Sequence, residues 1–319
     1  MATYTTYEQV GKKEDVSDVI SNISPTKTPF QTMIDSEKVH AKSFDWQEDS
    51  LRAVTLNQAI EGFTASDITA VPTVLRNNVT QILQETIKVA GTADVIATYG
   101  RAKESAYQIA KSAAQLKRDL EHAFVGSAQA KAVGSAGVAR AMAGYQAQLL
   151  NGGSAVLDAD DFVIYTGAAP PDLVEEDLHL IPLLAHLYSF GSDPKVIMVT
   201  PTNSITIANF AKASGRNRSF DTSSSRKDQT TLINVIDLYV SPFGEQRVVL
   251  NRFQRASNTL VFDPDMWTKA MLRPWFRETL AKTGDNIMMM IVGEMSLKHK
   301  NFQASGAIVQ AAGPTGFGT

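Results

Sequence analysis

The 319-residue sequence contains no cysteine. That absence excludes a disulfide-stapled scaffold, thiolate zinc sites, iron–sulfur clusters and a cysteine nucleophile. It suits a reducing compartment. Long hydrophobic runs are also missing. The best, Met288-Met-Met-Ile-Val292, has the length of a core strand and falls far short of the roughly 18 residues a membrane helix needs. Neither sign of charge dominates: 30 Lys and Arg face 33 Asp and Glu, for a net charge of −3. The balance holds in both halves, so no polycationic domain is present to neutralise nucleic acid. The first ten residues, Met1-Ala-Thr-Tyr-Thr-Thr-Tyr-Glu-Gln-Val10, lack the basic start and apolar core of a secretory signal.

What is present fits a globular chain: 44% of residues are hydrophobic and 20% charged, too apolar for a disordered one. The length allows roughly two domains. Residues 1–45 are polar and interrupted by Pro25 and Pro29, so this segment has no core of its own and must lie against something else or stay mobile. Residues 44–92 read as β with a long loop over 55–78, and long loops are usually functional. Tyr99, Ala102, Ala106, Ile109, Ala113, Leu116, Leu120 and Phe124 recur at helical spacing, which predicts one long helix over about 95–124 with Gly126 as its stop. Asp172-Leu-Val-Glu175 looks like a capping box before a helix toward Tyr188, interrupted by Pro182. Lys195–Thr200 reads as a buried strand and Thr202–Ala213 as a helix. Strands follow near 232–241, 246–251, 259–263 and through 278–310, and the tail Gly313–Thr319 reads as disordered. Without a regular βαβ rhythm the class is α+β, with mixed or antiparallel sheets.

Few residues suggest chemistry. Ser24-Pro-Thr-Lys27 and Lys282-Thr-Gly284 match two short motifs of serine acyl-enzymes. Such a serine needs a helix start beside its lysine in a formed pocket, whereas Ser24 precedes a proline in an arm-like segment. A cytosolic hydrolase using Ser24 and Lys27 is thus the weaker alternative. His40, His122, His179, His186 and His299 make no local zinc motif, and the acidic runs at Asp158–Asp161 and Glu175–Asp177 lack a calcium-loop pattern. There is no Walker or dinucleotide loop. No catalytic, cofactor or metal residue is therefore assigned. Arg216, Arg218, Arg226 and Lys227 give the 214–231 loop a local positive charge, a candidate weak contact to DNA or a pore-facing loop.

An arm, a long loop and an alanine-striped helix are poor parts for a monomer and useful ones for interlocking copies. The stretch Asp18-Val-Ile-Ser-Asn-Ile-Ser-Pro25-Thr-Lys-Thr-Pro29-Phe30, followed by Phe44-Asp-Trp46-Gln-Glu-Asp49-Ser-Leu51 and Glu61-Gly62, resembles the N-terminal region of tailed-bacteriophage major capsid proteins. Gly191-Ser-Asp-Pro194, Asp263-Pro-Asp-Met-Trp267, Leu272-Arg-Pro-Trp275, Leu280-Ala-Lys-Thr-Gly-Asp285 and Glu294-Met-Ser-Leu297 are similar to the same family, in the same order along the chain.

The resemblance implies a Hong Kong 97-like fold. Residues 1–45 would be an N-terminal arm and 46–92 an extended β-loop. Residues 93–159 would be a peripheral domain built on a long spine helix, and 160–277 an axial domain. Residues 278–319 would be strands returning to the peripheral domain, with a flexible tail. It implies a shell built from hexamers and pentamers that encloses double-stranded DNA without gripping it, located in the virion and made in the host bacterial cytoplasm. A separate scaffolding protein and a portal protein are implied as partners, a cement or decoration protein is allowed for, and no membrane is involved. A non-viral encapsulating shell shares the fold and is the second alternative. Phe30, Trp46, Leu51 and Glu61 are the expected inter-subunit contacts, and deletion of residues 1–30 is expected to abolish shells but leave a folded axial domain. No Lys–Asn crosslinking pair is singled out.

Overall fold

The computed structural model describes residues 22–52, 54–64, 70, 72–96, 98–149, 162–165, 174, 176–213, 238–255 and 258–309. The chain forms two compact units. One contains Gln84–Leu116 and Phe276–Val292, with the segment up to Thr26; the other contains Lys27–Leu83, Lys117–Trp275 and the chain from Gly293 on.

The elements follow in order. Helix α1 (Pro29–Met33) and strand β1 (Asp35–Lys38) precede β2 (Ser43–Glu48). After an exposed stretch come β3 (Val74–Val79), β4 (Gln81–Ala90) and a short α2 (Gly91–Val95). Helix α3 (Glu104–Glu121) continues through a wider π-type turn to Gly126, and α4 (Tyr145–Leu149) follows. Then come β5 (Val163–Tyr165), α5 (Ile181–Ser189), β6 (Val196–Val199) and α6 (Pro201–Ala213). Last are β7 (Leu238–Ser241), β8 (Gly244–Leu250), β9 (Asn258–Phe262), β10 (Trp267–Thr279), β11 (Asn286–His299) and β12 (Ser305–Val309).

The larger unit is organised by a sheet that is apolar on both faces. Among the described residues its order is β5-β12-β9-β6-β8-β7, with parallel pairs β12/β5 and β6/β8 and antiparallel pairs β12/β9, β6/β9 and β7/β8. Strand side chains alternate between faces. Val196, Met198, Leu260, Phe262, Ala307 and Val309 therefore enter one core with Phe30, Leu120, Phe124, Tyr145 and Leu149. Their neighbours Ile197, Val199, Val261 and Ile308 enter a second core with Leu183, Leu184 and Leu187 of α5 and Ile207 of α6. A strand wanted by two cores must read as an unbroken apolar run, and Val196-Ile-Met-Val199 does. Pro182 lies in the first turn of α5, directly after a π-type helical turn over Glu176–Leu180, so the helix changes type at the expected interruption. The capping box expected at 172–175 lies outside the described residues.

The first core corrects the reading of the arm. Its centre is Phe30, 0% exposed, with ring centroids 5.4–6.0 Å from Phe262, Phe124, Tyr145 and Trp267. Ile34 and Val39 are buried as well, and β1 pairs in parallel with β10, Asp35 opposite Thr268 through Lys38 opposite Met271. From Pro29 on, the expected arm belongs to the body of its own chain.

Three further differences have local causes. Helix α3 starts at Glu104, not near 95. Thr98 and Arg101 pair across a tight turn in which Gly100 takes a φ of +74, and the Ser105 amide is then capped by the Asp94 carboxylate at 2.9 Å. Tyr99, expected on the helical stripe, lies in that turn. Strand β10, expected within the axial stretch, instead joins the sheet β1-β10-β11-β4. Pro274 hides this strand from sequence reading. The proline lies outside the 268–271 stretch of β10 that pairs with β1. Conversely β12, expected to return to the peripheral domain, pairs with β9 and β5 of the axial stretch.

The smaller unit holds the first two-thirds of α3, the far end of β4 and the β10–β11 connection. The Gly91 amide bonds to the Asp285 carbonyl at 3.2 Å and the Leu280 amide to the Met288 carbonyl at 2.9 Å. Lys282-Thr-Gly284 sits in this exposed connection.

Candidate assembly surfaces and their anchors

Strands β2 and β3 form an antiparallel two-stranded ribbon, Ser43 opposite Val79 through Glu48 opposite Val74. Alternation gives it one face carrying Phe44, Trp46, Glu48, Arg76 and Asn78. Trp46 is half-buried and stacks on Phe44 with centroids 5.8 Å apart. Arg76 binds Glu48 at 3.1 Å and lies 4.4 Å over the ring of Phe302. Asn78 is saturated: its amide group donates to the carbonyls of Leu297 (2.6 Å) and Ala143 (3.2 Å), and its oxygen accepts from the amides of Val79 and Ala143.

Beyond this ribbon the chain changes character. Leu51 is 98% exposed, Ile60 80% and Phe63 64%, and Val54 and Leu56 are equally open. Their exposure is not simple fraying. The Phe63 amide bonds to the Ile60 carbonyl at 3.1 Å, with Gly62 at a φ of +77 in the third position of the turn. Glu61 occupies the exposed second position of that turn. Folded monomers seldom leave several large apolar side chains bare along one segment; such clusters mark surfaces that another molecule covers.

The sequence-expected residues thus separate. Leu51 and Glu61 are exposed on the loop, and Trp46 lies at its base. Phe30 is enclosed by its own chain and offers no surface to a neighbour. Ser24 and Lys27 are both exposed, and the Ser24 amide is engaged by the Asn22 side chain at 2.8 Å, far from the enclosed pocket an acyl-enzyme requires. Arg216, Arg218, Arg226 and Lys227 lie outside the described residues. Among the described residues no cluster of three His, Asp or Glu side chains could hold a metal ion, and no helix is long and apolar enough to cross a membrane.

Two buried carboxylates root these segments, and sequence reading singled out neither. Glu121, at the end of α3, accepts the amides of Phe30 (2.8 Å) and Gln31 (3.0 Å) and the side-chain amide of Asn251 (2.7 Å). It thereby satisfies two amides that open α1. Its burial pushes the carboxyl above its ordinary range, against the opposing pull of those hydrogen bonds. Glu294, on β11, is held by Thr80 Oγ1 (2.7 Å), Arg140 Nη2 (2.6 Å) and Arg273 Nε (3.0 Å). Burial would raise it, but the Thr80 and Arg273 hydrogen bonds and the two guanidinium charges outweigh that and hold it below its ordinary range. A charge inside the apolar run Met288–Leu297 was the available signal.

With the fold and the bare loop described, similarity to known proteins decides the family. The SU10 major capsid protein family model matches residues 2–312. The chain belongs to the SU10 major capsid protein family. The major capsid protein of Escherichia phage Phieco32 is 30% identical, over 97% of this chain and 97% of that one. Among solved structures, the capsid of a native GTA particle superposes with a TM-score of 0.68 at 14% identity, covering 98% of this chain and 100% of that one. The cyanophage A-1(L) capsid gives 0.66 at 13% identity, covering 96% of this chain and 98% of that one. The fold is Hong Kong 97-like and α+β. The chain is a structural protein, not an enzyme, and as a major capsid protein it assembles with copies of itself into the icosahedral head shell of a tailed phage.

Proposed function

We propose that residues 46–92 act as the extended loop that joins neighbouring copies, with Leu51, Ile60 and Phe63 as the apolar contacts, Trp46 at the loop's base and Glu61 in the turn between Ile60 and Phe63. The observation that supports this reading is the row of bare apolar side chains on an ordered segment. Covering each such side chain stabilises a contact by about 1.5–3 kcal/mol. The N-terminal arm is then the segment before Pro29. The spine-helix region 93–159 serves as the peripheral domain, and the two-faced sheet belongs to the axial domain, built on 160–277 with β12 added from the C-terminal stretch. Assembly proceeds in the host bacterial cytoplasm with a separate scaffolding protein and a portal, and a cement protein is compatible with it. The shell encloses DNA without a specific grip, which the near-neutral charge supports, and cohesion comes from non-covalent contacts.

The test is electron microscopy of purified wild-type protein beside a Leu51→Ser/Ile60→Ser/Phe63→Ser variant. Closed shells from the first and soluble subunits from the second are expected; shells of normal shape from the triple variant would overturn the loop assignment. A single monomer band on a denaturing gel of wild-type shells is expected, and a ladder would contradict non-covalent cohesion.

A further inference from the structure

We propose that Glu294 is a positioning residue for assembly: it pins the root of the β2–β3 ribbon and so sets the direction in which the exposed loop points. This inference rests on the loop reading above. Thr80 closes the ribbon at its base, its amide donating to the Lys42 carbonyl at 2.8 Å. Its hydroxyl has one proton and gives it to the Glu294 carboxylate at 2.7 Å, with the Lys42 carbonyl 3.2 Å from the same oxygen. One oxygen of Glu294 therefore grips the ribbon base and Arg140 together, while the other holds Arg273 of β10.

Arg140 brings a second segment to the same point. It ends a small hairpin in which Ser135 pairs with Val138 and Ala132 with Ala141. That hairpin is tied along the ribbon root as well, through Lys131 to Asn77, Gln129 to Gln81 at 2.7 Å, and Ala143 to Asn78. Root and hairpin form one braced body, and Glu294 joins it to β11 and β10.

Buried ion pairs add little net stability compared with apolar packing, and their best-attested use is to fix one geometry among several. Geometry is what a loop root must supply. Six residues of ribbon reach about 20 Å, so a tilt of about 5° at the root moves the far end by about 2 Å, more than a packed contact tolerates.

The test uses the full chain with Glu294→Gln, which keeps shape and removes charge, and with Arg140→Gln, on the partly exposed partner, should the first variant not fold. Hydrogen exchange on subunits is expected to speed up roughly tenfold or more at Val79 and Thr80, with β6 and β9 unchanged. Microscopy is expected to show open sheets or irregular particles in place of closed shells. A merely structural role predicts the reverse: a lower melting temperature and yield, with shells of normal shape from whatever folds. Normal shells from Arg140→Gln, or from a folded Glu294→Gln, overturn the proposal whether or not exchange changes. If the loop-tip variant blocks assembly while the root variants do not, the pin fails and the loop reading stands; if the tip variant assembles normally, both fail.

Discussion

Residues 29–39 and 51–63 carry comparable apolar side chains and end in opposite places. Phe30, Ile34 and Val39 are buried in their own chain, whereas Leu51, Ile60 and Phe63 face solvent. The difference is not hydrophobicity. The first segment has a receiver: a ring of four aromatic side chains and a carboxylate, Glu121, that takes up two of its amides. Among the described residues the second meets nothing comparable beyond the ribbon that presents it. One segment completes a subunit and the other, on the loop reading proposed above, is left for a neighbour.

The contrast can be broken from its strongest side. Phe30→Ala should cost about 3–5 kcal/mol of subunit stability, as for other fully enclosed aromatics, read as a marked fall in melting temperature. A shift of under about a degree would mean that the segment is an arm after all. Deleting residues 1–30 should by the same argument compromise the subunit itself, which circular dichroism of the truncation would show as lost structure.

Next in size are the two carboxylates, which should respond to pH in opposite directions. Glu121 sits above its ordinary value of 4.5 in the folded chain. The folded state binds its proton more tightly than the unfolded state does, so this group's contribution is fully present below 4.5 and is lost as pH rises through the raised value. Glu294 sits below 4.5, so its contribution is present above 4.5 and is lost as pH falls through the depressed value. Melting curves of Glu121→Gln should flatten the dependence on the alkaline side of 4.5, and those of Glu294→Gln on the acid side. Identical changes in both variants would mean that the two roots do not differ electrostatically.

His299 adds a related signature. It is stacked at 3.9 Å on Trp267 and held at about 3 by burial and, second, by the charge of Arg76. Stability should therefore decline as pH drops from about 6.5 toward that value, because only the unfolded chain takes the proton there. His299→Phe should remove that slope. The smallest stability effect belongs to the loop: Leu51→Ala should change subunit stability by no more than about 0.5 kcal/mol while slowing shell formation. A loss comparable to that of Phe30→Ala would erase the contrast.

Legibility in the sequence followed the distance over which each residue finds its partner. Strand β6, helix α6 and the stop at Gly126 were readable because their signals are local: an apolar run, a proline start, a glycine. The start of α3 is hidden because apolar spacing runs straight through the Gly100 turn. Phe30 reads as part of an arm because its surroundings in sequence are polar, and the carboxylate that receives its amide lies 91 residues away. The exposed loop was flagged by length and by family resemblance, whereas its anchor at Glu294 joins residues up to 214 positions apart and left only the trace of one acid in an apolar strand.

The bare loop has a consequence for timing. On the proposed loop reading, a subunit whose apolar side chains are already presented on a formed turn requires no activating step to expose them. Its association is then governed by mass action: at low abundance the subunits remain apart, and above a threshold concentration growth becomes self-sustaining. Control over when shells appear would then rest on how fast the cell supplies the subunit and its scaffolding protein.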